Sequence, residues 1–317
     1  MSSGVSICPD GDLYLGISGI DLKFDRLDLG EGICLSKTKC TFLTGHMMVF
    51  ESAKEEDQTD VPRSVRTDKD GSKWKDVSAE TRPVSGLTGY DITGELLITK
   101  AASESMGQDQ FALARWILSL MRMWSVPSLS APVLSKQSLS LVLAAEMEEL
   151  QQVLPFETQS RGIYLESDLG RSVTLDRLYW IRDSWKSGAK LANARKEFRL
   201  AVEALDQAHF VHDHALGVLL VWAALEGLFS PSRSELRFRT SALIASFLES
   251  PGAERRKLHR EVTKLYDARS SAAHDRSSID RAALMESMIL LRRIIIKMIS
   301  NCHVPSRDEL EGLLFGG

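Results

Sequence analysis

The last long helix predicted from the sequence constrains the fold more than any other element. Apolar side chains at Leu284, Met288, Leu291, Ile295 and Met298 alternate in steps of four and three residues, which is the spacing of a helix-packing seam. A helix with such a seam must pack against other helices to cover it. Further isoleucines and methionines cover a second face of the same helix, so we expect either a helical-bundle core or a dimer interface.

The first hundred residues show a different pattern. Short runs rich in β-branched and aromatic residues, such as DLYLGISGIDLKF and GELLITKA, alternate with glycine and aspartate, which is typical of strands and turns. From Ser103 onward, apolar residues recur at helical spacing, as in FALARWILSLMRMW. The chain is therefore predicted to be α+β, with a β-rich N-terminal domain at 1–102, a helical connector at 103–190 and an all-α domain at 191–317.

Composition narrows the functional classes. The 317 residues are 44% hydrophobic, which is enough for a buried core, and the net charge of −4 argues against a protein that coats nucleic acid. Basic residues outnumber acidic ones only after residue 190, so a nucleic-acid partner would need a local patch. The four cysteines match no zinc or redox spacing, and no signal peptide or membrane span is visible. We expect a cytoplasmic protein with reduced thiols and no membrane partner.

The segment KLYDARSSAAHD places Arg269 and His274 five positions apart. Such a pair suits RNA cleavage without a metal, because an imidazole can move protons near neutral pH and a guanidinium can hold the phosphate. On an ideal helix the two side chains lie about 140° apart. Convergence across the two-fold axis of a homodimer is therefore the simpler geometry. An arginine and a histidine near a helix C-terminus also occur without any catalytic role.

Neighbouring side chains extend this candidate site. We expect Tyr266, Asp267 and Ser270 to orient the arginine and the histidine or to contact the RNA backbone. A group of basic residues on either side of the pair could bind substrate phosphates. Its members are Arg255, Arg256, Lys257, Arg260, Lys264 and Arg276.

Glu226 lies in the apolar segment VWAALEGLF. Burying an unpaired carboxylate is costly, so we expect a basic partner, either Arg237 or Arg239 in a structural role or the region of Arg269 in a supporting one.

The order of these segments resembles the HEPN superfamily, and most closely its Apea-like branch. The segment ALEGLF precedes a segment of the form LY-x-x-RS-x-x-x-H, and the resemblance covers about residues 195–302. It implies a HEPN-like helical bundle that dimerises through its C-terminal helices and joins two Arg/His pairs in one endoribonuclease cleft. The implied reaction uses no cofactor and leaves 2′,3′-cyclic phosphate ends on RNA, and the implied role is that of a toxin or antiviral-defence effector.

Two other interpretations remain open at this point. The helical domain could be a non-catalytic dimerisation or binding module, whose N-terminal domain senses a ligand or a partner protein. Alternatively, His209, His212 and Asp213 in the segment HFVHDH would share one face of a helix and could ligate a divalent metal.

Overall fold

The computed structural model describes residues 11–43, 48–52, 66–67, 74–75, 79–83, 89–144, 153–159, 162, 173–229, 236–274 and 280–315. The chain divides into two compact units. One contains residues 1–39 and 92–317, and the other contains residues 40–91. An antiparallel sheet in the N-terminal region is followed by a helical C-terminal region, which confirms the expected α+β class.

The larger sheet has six strands in the order β10-β9-β1-β8-β3-β2. Its central strand β1 pairs antiparallel with both β8 and β9, so that Leu15 lies opposite Leu96 on one side and Leu134 on the other. Leu13, Leu15 and Ile17 of β1 are fully buried, because alternate side chains of a strand point to the same face. The described strands are β1 Leu13–Ser18, β2 Arg26–Gly30, β3 Ile33–Leu43, β4 Met48–Ser52, β5 Arg66–Thr67, β6 Trp74–Lys75, β7 Ala79–Pro83, β8 Gly89–Ile98, β9 Ser130–Ser135 and β10 Val153–Pro155.

Strands β9 and β10 lie within the range 103–190, which the sequence predicts to be a helical connector. Their segments are short and contain prolines, and in a sequence such segments are typical of breaks between helices. Pro155 pairs with Val133 on the edge of the sheet, where a missing N–H costs no ladder hydrogen bond. The sheet therefore includes strands that lie before and after the helices Lys100–Met106 and Gln110–Trp124 in the chain.

The smaller unit contains two antiparallel pairs among its described residues. Strand β4 pairs with β7, and β5 pairs with β6.

Helices make up most of the remaining described chain. None of those within the described ranges is both long enough and apolar enough to cross a bilayer. They are α1 Lys100–Met106, α2 Gln110–Trp124, α3 Leu139–Ala144, α4 Leu175–Ala194, α5 Lys196–Gln207, α6 His214–Phe229, α7 Leu236–Leu248, α8 Ala253–His274, α9 Arg281–Ser300 and α10 Arg307–Phe315.

Helix α9 occupies the centre of the helical region. All five residues of its predicted seam are fully buried, and the helix packs against α4, α5, α6 and α8 of the same chain. The indole N–H of Trp222 on α6 donates to the hydroxyl of Ser287 over 3.1 Å. The seam is thus a bundle core within one chain, and it is not available as a dimer interface.

Two tryptophans join the helices to the sheet. The indole of Trp185 on α4 donates to the carbonyl of Leu29 on β2 over 2.8 Å, and the indole of Trp116 on α2 donates to the carbonyl of Trp185 over 3.0 Å. Buried indoles normally need such a partner. One continuous core therefore extends from the sheet into the bundle.

Candidate functional site

Helix α8 carries most of the residues that the sequence assigns to an RNA site. Leu258, Val262 and Tyr266 are buried at steps of four residues, which turns one face of the helix toward the bundle. The helix continues without a break to His274. Residues 275–279, including the predicted RNA-binding Arg276, lie outside the described part of the chain.

Arg269 forms an ion pair with Glu226 of α6. The guanidinium Nε lies 3.1 Å from Oε1, and Nη2 donates to Oε2 over 3.2 Å. Both side chains are largely shielded, since 29% of Arg269 and 19% of Glu226 is exposed. The carboxylate of Glu226 therefore restricts how the guanidinium can turn.

The other partners expected for Glu226 pair elsewhere. Arg237 binds Asp267 with distances of 2.6 and 2.7 Å, and Arg239 lies 3.6 Å from Glu311. The expectation that either arginine neutralises Glu226 is wrong, because α7 directs them toward carboxylates on α8 and α10.

The ring of Tyr266 lies next to the ion pair. Its ring meets Trp222 edge to face with 5.2 Å between centroids, and the guanidinium carbon of Arg269 lies 5.7 Å from the tyrosine ring centre. Burial raises the pKa of Tyr266, and the negative charge of Glu226 raises it further, whereas Arg269 opposes the shift. The side chain therefore remains a neutral phenol that packs under the arginine.

Asp267 and Ser270 have more exposed surroundings than Tyr266. Asp267 is exposed and engaged by Arg237, and the hydrogen bonds from that arginine lower the pKa of its carboxyl group. Ser270 is half-buried, one turn before His274. Asp267 thus belongs to the outer surface of α8, and Ser270 borders the histidine.

His274 is the last residue of α8 and is exposed. Because the helix is regular between residues 269 and 274, the two positions differ by about 140° in direction and about 7.5 Å along the axis. Arg269 faces α6 of its own chain, and the histidine faces outward. One chain therefore presents the two groups on different faces of α8.

An exposed cationic stripe leads to His274 along the outer face of α8. Arg256, Arg260 and Lys264 follow one another at steps of four residues and are all exposed. On an ideal helix they point within about 80° of the direction of His274. Three of the predicted phosphate-binding residues therefore lie on the side of α8 that also carries the histidine.

Two other predicted phosphate-binding residues lie off this stripe. Arg255 donates to the carbonyl of Glu249 over 2.9 Å and to that of Leu313 over 3.2 Å, so it holds the C-terminal ends of α7 and α10. Lys257 is exposed, about 100° around the helix from Arg256.

The predicted metal ligands are not arranged as expected. His209 is buried in a 3-10 turn, with Nδ1 lying 3.2 Å from the carbonyl oxygen of Gly162. Val211 has an extended backbone that ends this turn, and Asp213 accepts a hydrogen bond from the N–H of Leu216 at the start of α6. The shared helical face does not exist, and the described residues contain no group of three metal-binding side chains.

One feature of the helical region has no counterpart in the sequence interpretation. A cavity opens between α7, α8 and α10, and it is lined by Phe238, Ser246, His259 and several arginines. Together with Leu314 of α10, these residues come from three separate helices, so no local motif marks them. An exposed phenylalanine followed by the cluster ERRKLHR is the only trace of the cavity in the sequence.

No family model matches the chain, and no curated protein or solved structure shows a match to it.

Proposed function

We propose that this protein is a metal-independent endoribonuclease built on a HEPN-like helical bundle. One observation carries the proposal. At the end of α8, Arg269 is oriented by the carboxylate of Glu226, and His274 stands exposed at the end of a cationic stripe. A fixed guanidinium, a solvent-accessible imidazole and a path for the phosphate backbone are the parts that metal-free RNA cleavage requires.

The chemistry follows from these two side chains. His274 takes the proton of the ribose 2′-OH or supplies one to the 5′-oxygen leaving group, because an imidazole can do either near neutral pH. Arg269 binds the phosphate oxygens on which charge develops. The ion pair consists of a hydrogen bond from Nη2 and a 3.1 Å charge contact of Nε that is not a hydrogen bond, and Nη1 can therefore donate to the substrate. The products carry 2′,3′-cyclic phosphate and 5′-hydroxyl ends.

A second copy of the chain completes the proposed site. Since one α8 directs its arginine and its histidine to different faces, two α8 C-termini related by a two-fold axis bring both kinds of group to one phosphate. Ser271 and Ala273 are exposed beside His274, and such small side chains permit a close approach of two helices. The homodimer therefore forms through the end of α8, since the seam of α9 is already covered.

The proposed biological role rests on the resemblance to the HEPN superfamily. RNA is the substrate, and cleavage serves as a toxin or antiviral-defence activity in the cytoplasm. The N-terminal region is the place where a ligand or partner protein would trigger the activity.

RNA digestion in EDTA tests the proposal. Total RNA is incubated with the wild-type chain, and the ends of the fragments are analysed for 2′,3′-cyclic phosphate. We expect His274→Ala to abolish cleavage, and His212→Ala, which removes another exposed imidazole, to leave it unchanged. Fragments that require a divalent ion, or full cleavage by His274→Ala, would reject the assignment.

Arg269 needs a more conservative substitution. Arg269→Ala would leave the shielded carboxylate of Glu226 without its partner and so lower stability. Arg269→Lys keeps the positive charge but loses the planar fork, so we expect a folded chain that cleaves RNA at least about tenfold more slowly. Arg293→Lys is the control, because it alters an exposed arginine paired with Glu249.

One observation favours a second candidate function. Arg269 is already paired within its own chain, as it would be in a non-catalytic dimerisation or binding module. Such a module would bind its partner equally well with Arg269→Lys or His274→Ala, and neither the wild type nor the variants would cut RNA.

A further inference from the structure

The cavity between α7, α8 and α10 has a volume of about 360 Å³. This size falls in the range of sites for small organic ligands. Ala242 and Ala245 of α7 and Leu314 of α10 contribute apolar surface to its lining. The cavity can therefore accept a flat, uncharged part of a ligand.

The other side of the cavity is cationic. Arg255, Arg256 and Arg260 of α8 all line it, and no aspartate or glutamate is found among the described lining residues. Arg255 is occupied by two backbone carbonyls. Arg256 and Arg260 are exposed one turn apart, where two guanidiniums can reach the same anionic group.

Two polar atoms in the cavity lining have no hydrogen-bond partner among the described residues. They are the hydroxyl of Ser246, a residue only 4% exposed, and Nε2 of His259. Buried polar atoms are normally paired, so these two leave unused hydrogen-bonding capacity beside the cavity. Burial lowers the pKa of His259, and the positive charges of Arg237 and Arg260 lower it further, which favours the neutral ring.

An exposed aromatic ring borders the cavity. Phe238 is 60% exposed, and its ring meets that of His259 at 69° with 5.5 Å between centroids. Exposed aromatic faces next to cationic side chains are the surfaces on which nucleobases stack.

We propose that this cavity binds a nucleotide, with its phosphate on Arg256 and Arg260 and its base on Phe238 and the apolar lining. The nucleotide can be free in solution or can be one unit of an RNA strand, since both present the same phosphate and base. Arg260 lies fourteen residues before His274, which is about 21 Å along the helix axis. The cavity thus lies apart from His274, although it shares Arg256 and Arg260 with the cationic stripe, and its occupancy does not depend on RNA cleavage.

Calorimetric titration of the full chain tests this proposal. The three probes are adenosine 5′-monophosphate, inorganic phosphate, and a short single-stranded oligoadenylate that is titrated into His274→Ala. We expect the mononucleotide to bind at least about tenfold more tightly than inorganic phosphate, because only the nucleotide fills the apolar part. Arg260→Gln and Phe238→Ala should each weaken nucleotide binding several-fold.

Matched controls separate the cavity from the general surface. Lys190→Gln removes an exposed cation from α4, and Tyr179→Ala removes a partly exposed ring from the same helix; both should bind the nucleotide as the wild type does. Circular dichroism of the exposed-site variants checks that each is folded.

Each outcome of the titrations either supports or overturns the proposal. Mononucleotide binding that is weakened by Arg260→Gln and Phe238→Ala identifies a free nucleotide as the ligand. Binding of the oligoadenylate alone, with the same sensitivity, identifies a nucleotide of RNA. Phosphate binding as tight as nucleotide binding, no binding of any probe, or binding that neither variant weakens overturns it.

Discussion

Arg269 on α8 donates to the carboxylate of Glu226 on α6, forty-three residues earlier in the chain. The contact joins the helix that carries the candidate catalytic groups to the apolar helix of the bundle core. It also sets the direction of a guanidinium that would otherwise rotate freely about a long side chain.

Glu226→Gln should affect both stability and cleavage. The amide keeps the shape of the side chain but removes the charge that holds Arg269, so we expect the free energy of unfolding in urea to fall by about 1.5 kcal/mol. RNA cleavage should fall by a further factor of about ten or more, because the guanidinium loses its fixed orientation. Glu249→Gln, which removes an exposed partner of Arg293, is the control. Wild-type cleavage by a destabilised Glu226→Gln would show that the carboxylate has only a structural role.

Lys264→Ala should weaken the binding of RNA and reduce its dependence on salt. Lys264 lies on the cationic stripe next to the face of His274, and each phosphate contact to single-stranded nucleic acid contributes a slope of about −0.7 in log K against log salt concentration. We expect the slope measured in the His274→Ala background to decrease in magnitude by about this amount. Lys196→Ala on α5 should leave the slope unchanged, and an equal effect of both variants would remove the stripe from the RNA site.

Stability in acid should depend on Glu309. The backbone N–H of Ser306 donates to this carboxylate over 2.6 Å at the start of α10, and together with Ser306 Oγ and His303 it lowers the pKa of Glu309 from 4.5 to about 2. A depressed pKa stabilises the fold above the unfolded value and loses that contribution as the pH falls toward 2. The melting temperatures of the wild type and Glu309→Gln should therefore differ most above pH 4.5 and converge near pH 2. Melting temperatures that differ equally at pH 2 and above pH 4.5 would contradict this prediction.

Two glycines of α6 should respond oppositely to alanine. A Cβ on Gly217 would lie 2.8 Å from a methyl carbon of the buried Leu284 on α9, so Gly217→Ala should lower the free energy of unfolding by about 1–3 kcal/mol. Gly227 has no neighbouring atom within 4 Å of the same position, so Gly227→Ala should raise it by about 0.5–1 kcal/mol. Urea unfolding of both variants measures the difference, and equal effects would contradict the close contact between α6 and α9.

Local patterns account for the parts of the structure that the sequence predicts well. The seam from Leu284 to Met298 is repeated over four helical turns, and its helix and its burial are both observed. Helix α4 begins directly after Thr174, a residue type that favours the start of a helix. Such features depend on residues that are close together in the chain.

Local sequence patterns do not predict the features that depend on residues far apart in the chain. The pairing of Glu226 with Arg269 rather than with Arg237 is decided by which helix faces α6, and no spacing rule contains that information. Strands β9 and β10 form because the sheet supplies their partners, although their sequences are short and contain proline. The alternative metal site is not formed for a local reason, since the extended backbone of Val211 separates His209 from Asp213.

The complete covering of the α9 seam also bears on how the proposed enzyme is controlled. Under the proposed mechanism, a monomer needs no partner to cover this seam, so it can stay folded and inactive until two copies associate. At low abundance, the concentration of such a dimer would grow with the square of the subunit concentration, so the proposed activity would rise steeply with a modest increase in synthesis.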